Sequence, residues 1–535
     1  MIAKLRNKLN FTSALVATTL LFSQVQSVHA ADIVISTDTT VNAGTTISLT
    51  GTDTLTINSG VTYTFNQTSY LEGINVNTGA TGVVITNNGT IVQNYASSIN
   101  LHGDGIVHFI NNGTLINNNE VYNYAMLSLA GGDSVFTLTN NGVIFGLPSE
   151  SAQSFLFFLN SATGPNNVIN LNKGSIVSGL FASNKDFNLN MNVGASKTYN
   201  YKTDHTYFSG NAIVSELNNR PSISSINYAS AINIGSIEMA GENLYQNTSN
   251  IIDAVDSNIN TAETWVRPYY SESNRDSEGD SSAIRKFKNT KQGFTAGGAV
   301  KNSKIPLQFI LNVDQSENNI DSGEHKIDSN SITLGLVVPN FNKVGDYNLS
   351  LKGLIGYSKN DTDRKILDNT SSTGERVITG DYNSFNAIVG ASLAKTINLD
   401  NGVKANITIG ADVVSEMRDS YSESLYFSYD KLNLVQLQPK IQSEFVKTLN
   451  NTSNSFVKLG VEVREILSGK TQDFSANSIK TSYTTPTTND VYGTVAVGFN
   501  SKINETINLF AEANARKSGE EVETYQAIFG IKGTF

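Results

Sequence analysis

The 535-residue sequence has no cysteine, a single tryptophan and only 8 prolines. Without cysteine there is no disulfide framework, thiolate zinc site, iron–sulfur cluster or thiol nucleophile. Few prolines beside 42 glycines describe a turn-rich chain that is neither a Pro-rich disordered segment nor collagen-like. Charge is also scarce, at 16% of residues, and its balance of −10 offers no basic footprint, so a nucleic-acid partner is excluded. No stretch of eighteen consecutive apolar residues occurs, so no transmembrane helix is expected. Catalytic signals are thin. The histidines at 29, 102, 108, 205 and 325 do not fall at metal-ligand spacing, and neither a Gly-x-Ser-x-Gly elbow nor a His-Glu-x-x-His run is present. The acidic cluster Asp276-Ser277-Glu278-Gly279-Asp280 lacks a full calcium-loop pattern and reads as a hydrated loop. No cofactor or metal site is expected. At roughly 150 residues per domain, a chain of this length needs two or more units.

What is present begins with an address. Lys4, Arg6 and Lys8 precede an apolar run from Phe11 to Phe22, and Val28-His29-Ala30 before Ala31 supplies the small residues of a signal-peptidase site. Twelve helical residues span only about 18 Å, short of the ~30 Å hydrocarbon core, so the run fits a cleaved signal rather than an anchor. Residues 1–30 are therefore expected to be a signal peptide that takes the chain across the inner membrane, with cleavage between Ala30 and Ala31.

Residues 31–209 contain ten acidic and four basic residues among abundant Asn, Thr, Ser, Gly, Val and Ile. One motif recurs there. Ile85 to Ile91, Ile110 to Leu115, Leu138 to Ile144 and, more weakly, Leu171 to Ile176 all read apolar, Asn-Asn-Gly or its relative, apolar, at intervals of 24, 29 and 32 residues. Asn and Gly suit a tight corner because they tolerate the left-handed backbone. A strand of three or four apolar residues cannot bury its face alone, so irregular periods of this size indicate stacked coils, a parallel β-helix of six or seven turns with Asn side chains in ladders. An antiparallel hairpin also uses Asn-Gly, but it recurs at shorter, more regular spacing.

Residues 264–535 are read by alternation. Tyr347, Leu349, Leu351, Gly353, Ile355 and Tyr357 alternate with Asn348, Ser350, Lys352 and Ser358, and similar runs follow Val403, Val457 and Ile503. Ten steps from Tyr347 to Tyr357, tilted about 40°, rise about 25 Å, the height of the apolar band of an outer-membrane barrel, with a tyrosine at each interface. Short turns near 340–345, 400–402, 450–452 and 501–502 alternate with long polar links at 271–289, 358–375, 417–430 and 467–489. Twelve strands are expected, beginning near 264, 292, 305, 331, 347, 377, 403, 431, 456, 491, 503 and 522, an even number as such a barrel requires. The chain closes on Tyr525, Ala527, Phe529, Ile531, Gly533 and Phe535 in alternation, ending on an aromatic residue.

A signal peptide, an Asn/Gly-rich solenoid, a linker and a barrel that opens with Trp265-Val266-Arg267 and closes on Phe535 resemble the bacterial autotransporters of type V secretion. The architecture is all-β: a parallel β-helix-like solenoid passenger followed by a 12-stranded transmembrane β-barrel. The resemblance implies a barrel in the outer membrane, bound by lipid and inserted by the barrel assembly machinery, which reads a closing strand such as Tyr525, Phe529, Ile531 and Phe535. It also implies a passenger on the cell surface.

Between the two units, residues 210–263 form a linker. From Pro221 to Asn260 it carries Glu238, Glu242, Asp253 and Asp256 and no Lys or Arg. Leu244, Ile252, Val255 and Ile259 fall near helical spacing after a possible cap at Thr248 or Ser249. In autotransporters such a segment threads the barrel, where the wet-face cations Lys352, Lys404, Lys458, Arg464 and Lys532 await it; a solvated acidic linker is the alternative. Some members of that family cut the passenger free at an Asn-Asn junction. Asn218-Asn219 matches, although Asn pairs at 87, 111, 117, 140, 166, 318 and 450 show that composition alone supplies one. The expected function is display of the solenoid for adhesion or self-association, with a host receptor, glycan or sister molecule as partner. The chain is not expected to be an enzyme. A hydrolase passenger using carboxylates such as Asp104, Asp133 or Glu150, or a barrel acting mainly as a channel, are the alternatives.

Overall fold

A computed structural model describes residues 30–533 except 43–45, 67–72, 95–98, 102–104, 119–126, 130–134, 147–154, 160–166, 184–186, 193–198, 204–205, 211, 217–236, 260–262, 277–285, 301–304, 322–323, 426, 477–478 and 486–488. Most of the signal segment, Asn218-Asn219 and Phe535 thus lie outside the described residues. Two β architectures share the chain, and they use the period-two pattern in opposite senses.

The amino-terminal unit is a stack of short strands, all paired in parallel. One sheet takes Asp32–Ile35, Thr54–Ile57, Val83–Asn87, Ile106–Asn111, Val135–Asn140, Val168–Asn172, Phe187–Asn192 and Thr206–Gly210 in that spatial order. A second takes Thr39–Asn42, Thr62–Asn66, Thr90–Gln93, Thr114–Asn117, Val143–Phe145 and Ile176–Ser178. A third face runs from Ile47–Leu49 through Ile74–Val76, Ile99–Leu101, Leu127–Leu129, Phe155–Leu159, Leu180–Ser183 and Tyr199–Thr203 to Ala212–Glu216. Sequence order and spatial order coincide, so each coil lies on the one before it, as a solenoid requires. Inward positions are apolar: Leu55, Ile57, Ile85, Ile91, Leu115, Leu138 and Ile144 are fully buried in one continuous core. Burying each such side chain stabilises by about 1.5–3 kcal/mol, and no single coil holds enough of them to stand alone.

The Asn-Asn-Gly corners carry two ladders. The first Asn of each points inward: Asn87 Nδ2 donates to Asn111 Oδ1 at 2.8 Å, and Asn111 Nδ2 to Asn140 Oδ1 at 2.7 Å. The second points out, and Asn112 donates to Asn88, Asn141 to Asn112 and Asn172 to Asn141 at 2.7–2.8 Å. The glycines have a different reason from the one the motif suggests. Gly89, Gly113 and Gly142 do not adopt positive φ. A Cβ on Gly113 would lie 2.0 Å from the Gly89 carbonyl oxygen, and one on Gly142 2.1 Å from that of Gly113. The corner needs glycine because consecutive coils approach there backbone to backbone, a contact made between coils and so invisible within one copy of the motif.

The carboxyl-terminal unit is a closed antiparallel barrel of twelve strands: β1 Thr264–Arg275, β2 Phe287–Ala299, β3 Gln308–Ile320, β4 His325–Val344, β5 Tyr347–Asp368, β6 Glu375–Asn398, β7 Val403–Arg418, β8 Leu432–Thr448, β9 Ser453–Ser468, β10 Asp490–Lys502, β11 Ile507–Ser518 and β12 Glu523–Gly533. Each pairs with the next, and β1 pairs with β12 to close the ring. Closure leaves no unpaired edge for lipid to meet. The outward face is a band of apolar side chains that includes Phe294, Phe309, Leu334, Leu336, Ile355, Val389, Val413, Leu459, Val497 and Phe529, all exposed. The turn between β10 and β11 falls at 503–506, where Asn504 Oδ1 accepts from the Thr506 and Ile507 amides, and not at 501–502; the alternation read from Ile503 therefore runs across it. β5 and β6 have 22 and 24 residues, well beyond the roughly 9–11 that cross a bilayer, so their joined ends project past the membrane.

Two of the long links are themselves folded. Tyr421–Ser422, Phe427–Tyr429, Thr471–Ala476 and Ile479–Thr484 make a small antiparallel sheet at the long-loop end of the barrel. Its Tyr421, Phe427, Tyr429 and Phe474 pack with Tyr382, Ile366, Ile378 and Ile237. The Arg364–Glu423 ion pair, 2.6 Å, is buried among them.

Candidate translocation pore

Between solenoid and barrel lies one long helix, α1, Ala240–Asn258. It starts eight residues before the cap expected at Thr248. Thr248 instead sits mid-helix with its Oγ1 bonded to the Leu244 carbonyl at 2.8 Å, a local bond that satisfies a hydroxyl without ending the helix. Met239 stands at the N-cap and provides no side-chain cap. Glu242 in the first turn supplies the favourable negative charge there.

An ordinary surface helix buries one stripe, whereas a helix buried all round is enclosed. α1 is enclosed. Gly241, Glu242, Tyr245, Gln246, Ser249, Asn250, Ala254, Val255 and Asn258, spread over the whole circumference, are all buried. Their partners come from strands on opposite sides of the ring. Ser273 on β1 donates to Gln246 at 2.8 Å, Lys291 on β2 to the Asn247 carbonyl at 2.7 Å, and Gln436 on β8 to the Gly241 carbonyl at 2.6 Å. The helix therefore occupies the lumen, and the reading of a merely solvated linker is set aside.

The ionic contacts follow the alternation of the strands. Asp256 lies between Lys352 on β5, at 2.8 Å, and Lys440 on β8, and both lysines also reach Asp412 on β7, at 2.9 and 3.2 Å. Asp253 pairs with Arg516 on β11 at 2.5 Å. Glu242 pairs with Arg464 on β9 and accepts from the Tyr492 hydroxyl at 2.8 Å. Lys458 donates to Ser257 at 3.1 Å and pairs with Glu512 at 2.8 Å. Buried charges demand such partners, since an isolated one costs several kcal/mol to desolvate. An apolar layer lies beside them: Leu244, Ile251, Ile252, Val255 and Ile259 pack with Trp265, Ile310, Val337, Leu354, Ile388, Val414, Leu432 and Leu434.

Of the five wet-face cations anticipated from sequence, Lys352, Lys458 and Arg464 touch α1. Lys404 and Lys532 do not. Lys404 is exposed at the start of β7, and the Lys532 ammonium lies 5.2 Å over the Phe510 ring. Alternation tells which face a residue occupies but not how far along the barrel it stands. Lys440 and Arg516 were missed for a related reason: their strands present cations on the inner face, but nothing in one strand says that α1 passes at that height.

The other anticipated residues fall as follows. Ala31 opens the first coil, its backbone N–H donating to Asp53 Oδ1 at 2.8 Å, beside a second amide bond from Thr50 at 2.8 Å. These two bonds, Thr50 first and then Ala31, hold the Asp53 carboxyl below the usual carboxylate range. Tyr525, Phe529 and Ile531 line the outer face of β12, all exposed. Glu238 accepts from the Tyr483 hydroxyl at the top of the pore. Asp104, Asp133 and Glu150 lie outside the described residues. Among the described residues no three His, Asp or Glu side chains gather to hold a metal ion.

A cavity of about 30 Å³ remains beside α1, lined by Asp253, Lys440, Lys458, Glu462, Glu512 and Arg516. That is room for a water or two. The lumen is thus a filled, charged core, and chemically it can hold an extended or helical segment of acidic chain.

Residues 264–514 match the family model described as the autotransporter beta-domain. Among solved structures the chain is similar to the translocator domain of autotransporter NalP from Neisseria meningitidis, with 14% identity and a TM-score of 0.43 over 56% of this chain and 99% of that one. It is also similar to the transport unit of the autotransporter AIDA-I from Escherichia coli, with 10% identity and a TM-score of 0.40 over 56% of this chain and 99% of that one. No curated protein matches the chain by sequence.

Proposed function

Residues 264–514 of this chain are an autotransporter β-domain, and from that premise we propose that the barrel, in the outer membrane, carries the solenoid to the cell surface for adhesion or self-association. One observation carries the reading: α1 runs through the barrel and is held there by ion pairs on several strands, with its amino-terminal end, the end nearer the solenoid in sequence, held at the long-loop end by Arg464 and Tyr483. A filled lumen favours display over conduction. The signal peptide with cleavage at Ala30-Ala31 and the closing strand Tyr525 to Phe535 supply export and insertion by the barrel assembly machinery, with outer-membrane lipid around the finished barrel.

The binding chemistry follows from the solenoid's outer rows. Asn88, Asn112, Asn141 and Asn172 form an exposed, uncharged ladder, one amide per coil. Coils stack at the strand spacing of about 4.8 Å, so the row offers a repeated donor–acceptor array. Such an array suits a glycan, a receptor surface or the matching row of a sister molecule, through many weak hydrogen bonds over an extended face. The hydrolase alternative rests on carboxylates outside the described residues and gains nothing from the site.

Expression on a non-binding bacterial strain tests both halves. Protease treatment of intact cells is expected to release solenoid peptides, and cells are expected to gain attachment to host cells or to one another that the treatment abolishes. Intact cells whose solenoid resists release although the barrel is present would overturn display. Released peptides without any gain in attachment would overturn adhesion.

A further inference from the structure

A stack of coils must end, and its last coil leaves an open sheet edge and an uncovered core. Here the second solenoid sheet ends on Ile176–Ser178, whose only paired strand among the described residues of the solenoid is Val143–Phe145. Its other side is not open. Beyond it lies the tip of the β5–β6 hairpin, residues that belong to the barrel and stand nearly two hundred positions later in the chain.

The contacts are those of a cap. Leu367, 2% exposed, belongs to the same buried cluster as Val177 and Ile144, so a barrel residue covers the solenoid core on the side where the second sheet stops. The Gly179 amide donates to the Asn369 carbonyl at 2.7 Å, and the Ser178 hydroxyl to the Ser371 carbonyl at 2.7 Å. Residues 199 and 200 pair in parallel with 367 and 368, which joins the third solenoid face to the barrel sheet. Gly374, at φ +72°, lies so close that a Cβ would stand 2.6 Å from Ile176 Cγ2 and 2.9 Å from the Val177 oxygen. The tip is braced from within: Asp368, fully buried, accepts from the Thr370 amide at 2.9 Å and hydroxyl at 2.6 Å, and its other oxygen pairs with Arg376 at 2.9 Å.

We propose that the β5–β6 hairpin caps the second sheet of the solenoid where that sheet stops short of the other two, so that the passenger is seated on the barrel by non-covalent contacts and remains there after the connecting chain is cut. This deepens the display reading, on which it rests for the cell-surface setting, but the docking itself is a property of the purified protein. It gives a cleaved passenger a second means of attachment, and it gives the solenoid a preformed edge against which the strand Tyr199–Thr203 is laid.

The test uses the full chain, with a specific protease recognition sequence inserted after Asn219, purified in detergent and cut to completion. The passenger fragment is expected to co-elute with the barrel, and the amides of 176–179 to stay protected from hydrogen exchange. In L367D and, separately, in Gly374→Val, the cut fragment is expected to separate, with at least a tenfold loss of the co-eluting fraction. Heat-modifiable migration of the barrel, unchanged in both variants, shows that the barrel itself has folded. Release of the fragment from the unsubstituted hairpin, or equal retention by both variants, would overturn the proposal. Neither outcome depends on export, so its failure and that of surface display are told apart by protease treatment of intact cells.

Discussion

The solenoid and the barrel alternate polar and apolar residues with the same period and face them in opposite directions. In the solenoid Ile85, Leu115 and Leu138 look inward and Asn88 and Asn112 look out. In the barrel Ile355 and Val389 look outward and Lys352 and Asp412 look in. The cause is the medium: water surrounds one unit, and acyl chains surround the other. The difference extends to the polar groups. The solenoid meets its buried hydrogen-bonding needs with neutral amides stacked on copies of themselves, whereas the lumen uses opposite charges from different elements. A ladder of like amides is self-complementary at every coil, but a ladder of like charges would repel. A pore that must hold one acidic helix gains from fixed charges of the other sign.

The comparison breaks most readily in the lumen. Removing the Asp256 carboxylate by D256A leaves Lys352 and Lys440 buried with only Asp412 to share. Breaking such a buried pair costs about 3–5 kcal/mol, so openings of the plugged pore in planar bilayers should become at least about a hundredfold more frequent. On the outer face, Val389, paired with Gly353 midway along the stretch of β5 from Tyr347 to Tyr357, should tolerate arginine poorly. V389R is expected to cost about 2–4 kcal/mol, seen as a lower urea midpoint for unfolding from vesicles, since a cation at the bilayer midplane is that unfavourable.

In the solenoid the same logic runs through the amides. N111A removes an acceptor for Asn87 and a donor for Asn140 and should cost about 1–3 kcal/mol, read as lost hydrogen-exchange protection in the coils either side. The outer ladder residue Asn112, exposed to water, should lose under about 1 kcal/mol on the same change, because water replaces its partners. The smallest effect concerns Asp53. Its folded-state pKa is depressed, so its stabilisation is present above the unfolded value near 3.9 and is lost as pH falls through the folded one. D53N should therefore loosen the first coil at pH 7, and its exchange rates should converge with those of the unsubstituted protein as the pH drops below about 4.

Much of this was legible in the sequence, and where it was not the reason is distance along the chain. Periodicity located the barrel strands because side-chain alternation is local; nine of the twelve begin within three residues of the expected positions, with β2 and β4 starting five and six residues earlier and β11 four residues later. The acidic run near Asp253 and Asp256 marked the luminal helix because charge sign survives without knowledge of the partner. Its start at Ala240 was obscured, since Met239 offers no capping side chain and Thr248 imitates one. The small sheet above the pore was read as polar linkage, although Tyr421, Phe427, Tyr429 and Phe474 were the signal: aromatic residues are costly to leave in solvated loops. The need for glycine at 89, 113 and 142, and the seat of Leu367 in the solenoid core, are contacts between remote segments, and no local pattern encodes them.

The central claim is that the outer face of the barrel meets lipid while alternate residues meet α1. Because the chain has no native cysteine, single cysteines can be placed and spin-labelled one at a time along β5 from Ser350 to Gly356 in vesicles, and their collision rates with oxygen dissolved in the bilayer recorded. High accessibility at 351, 353 and 355, with low values at 350, 352, 354 and 356, is the expected result. Uniform accessibility along the strand, or the opposite phase, would contradict it.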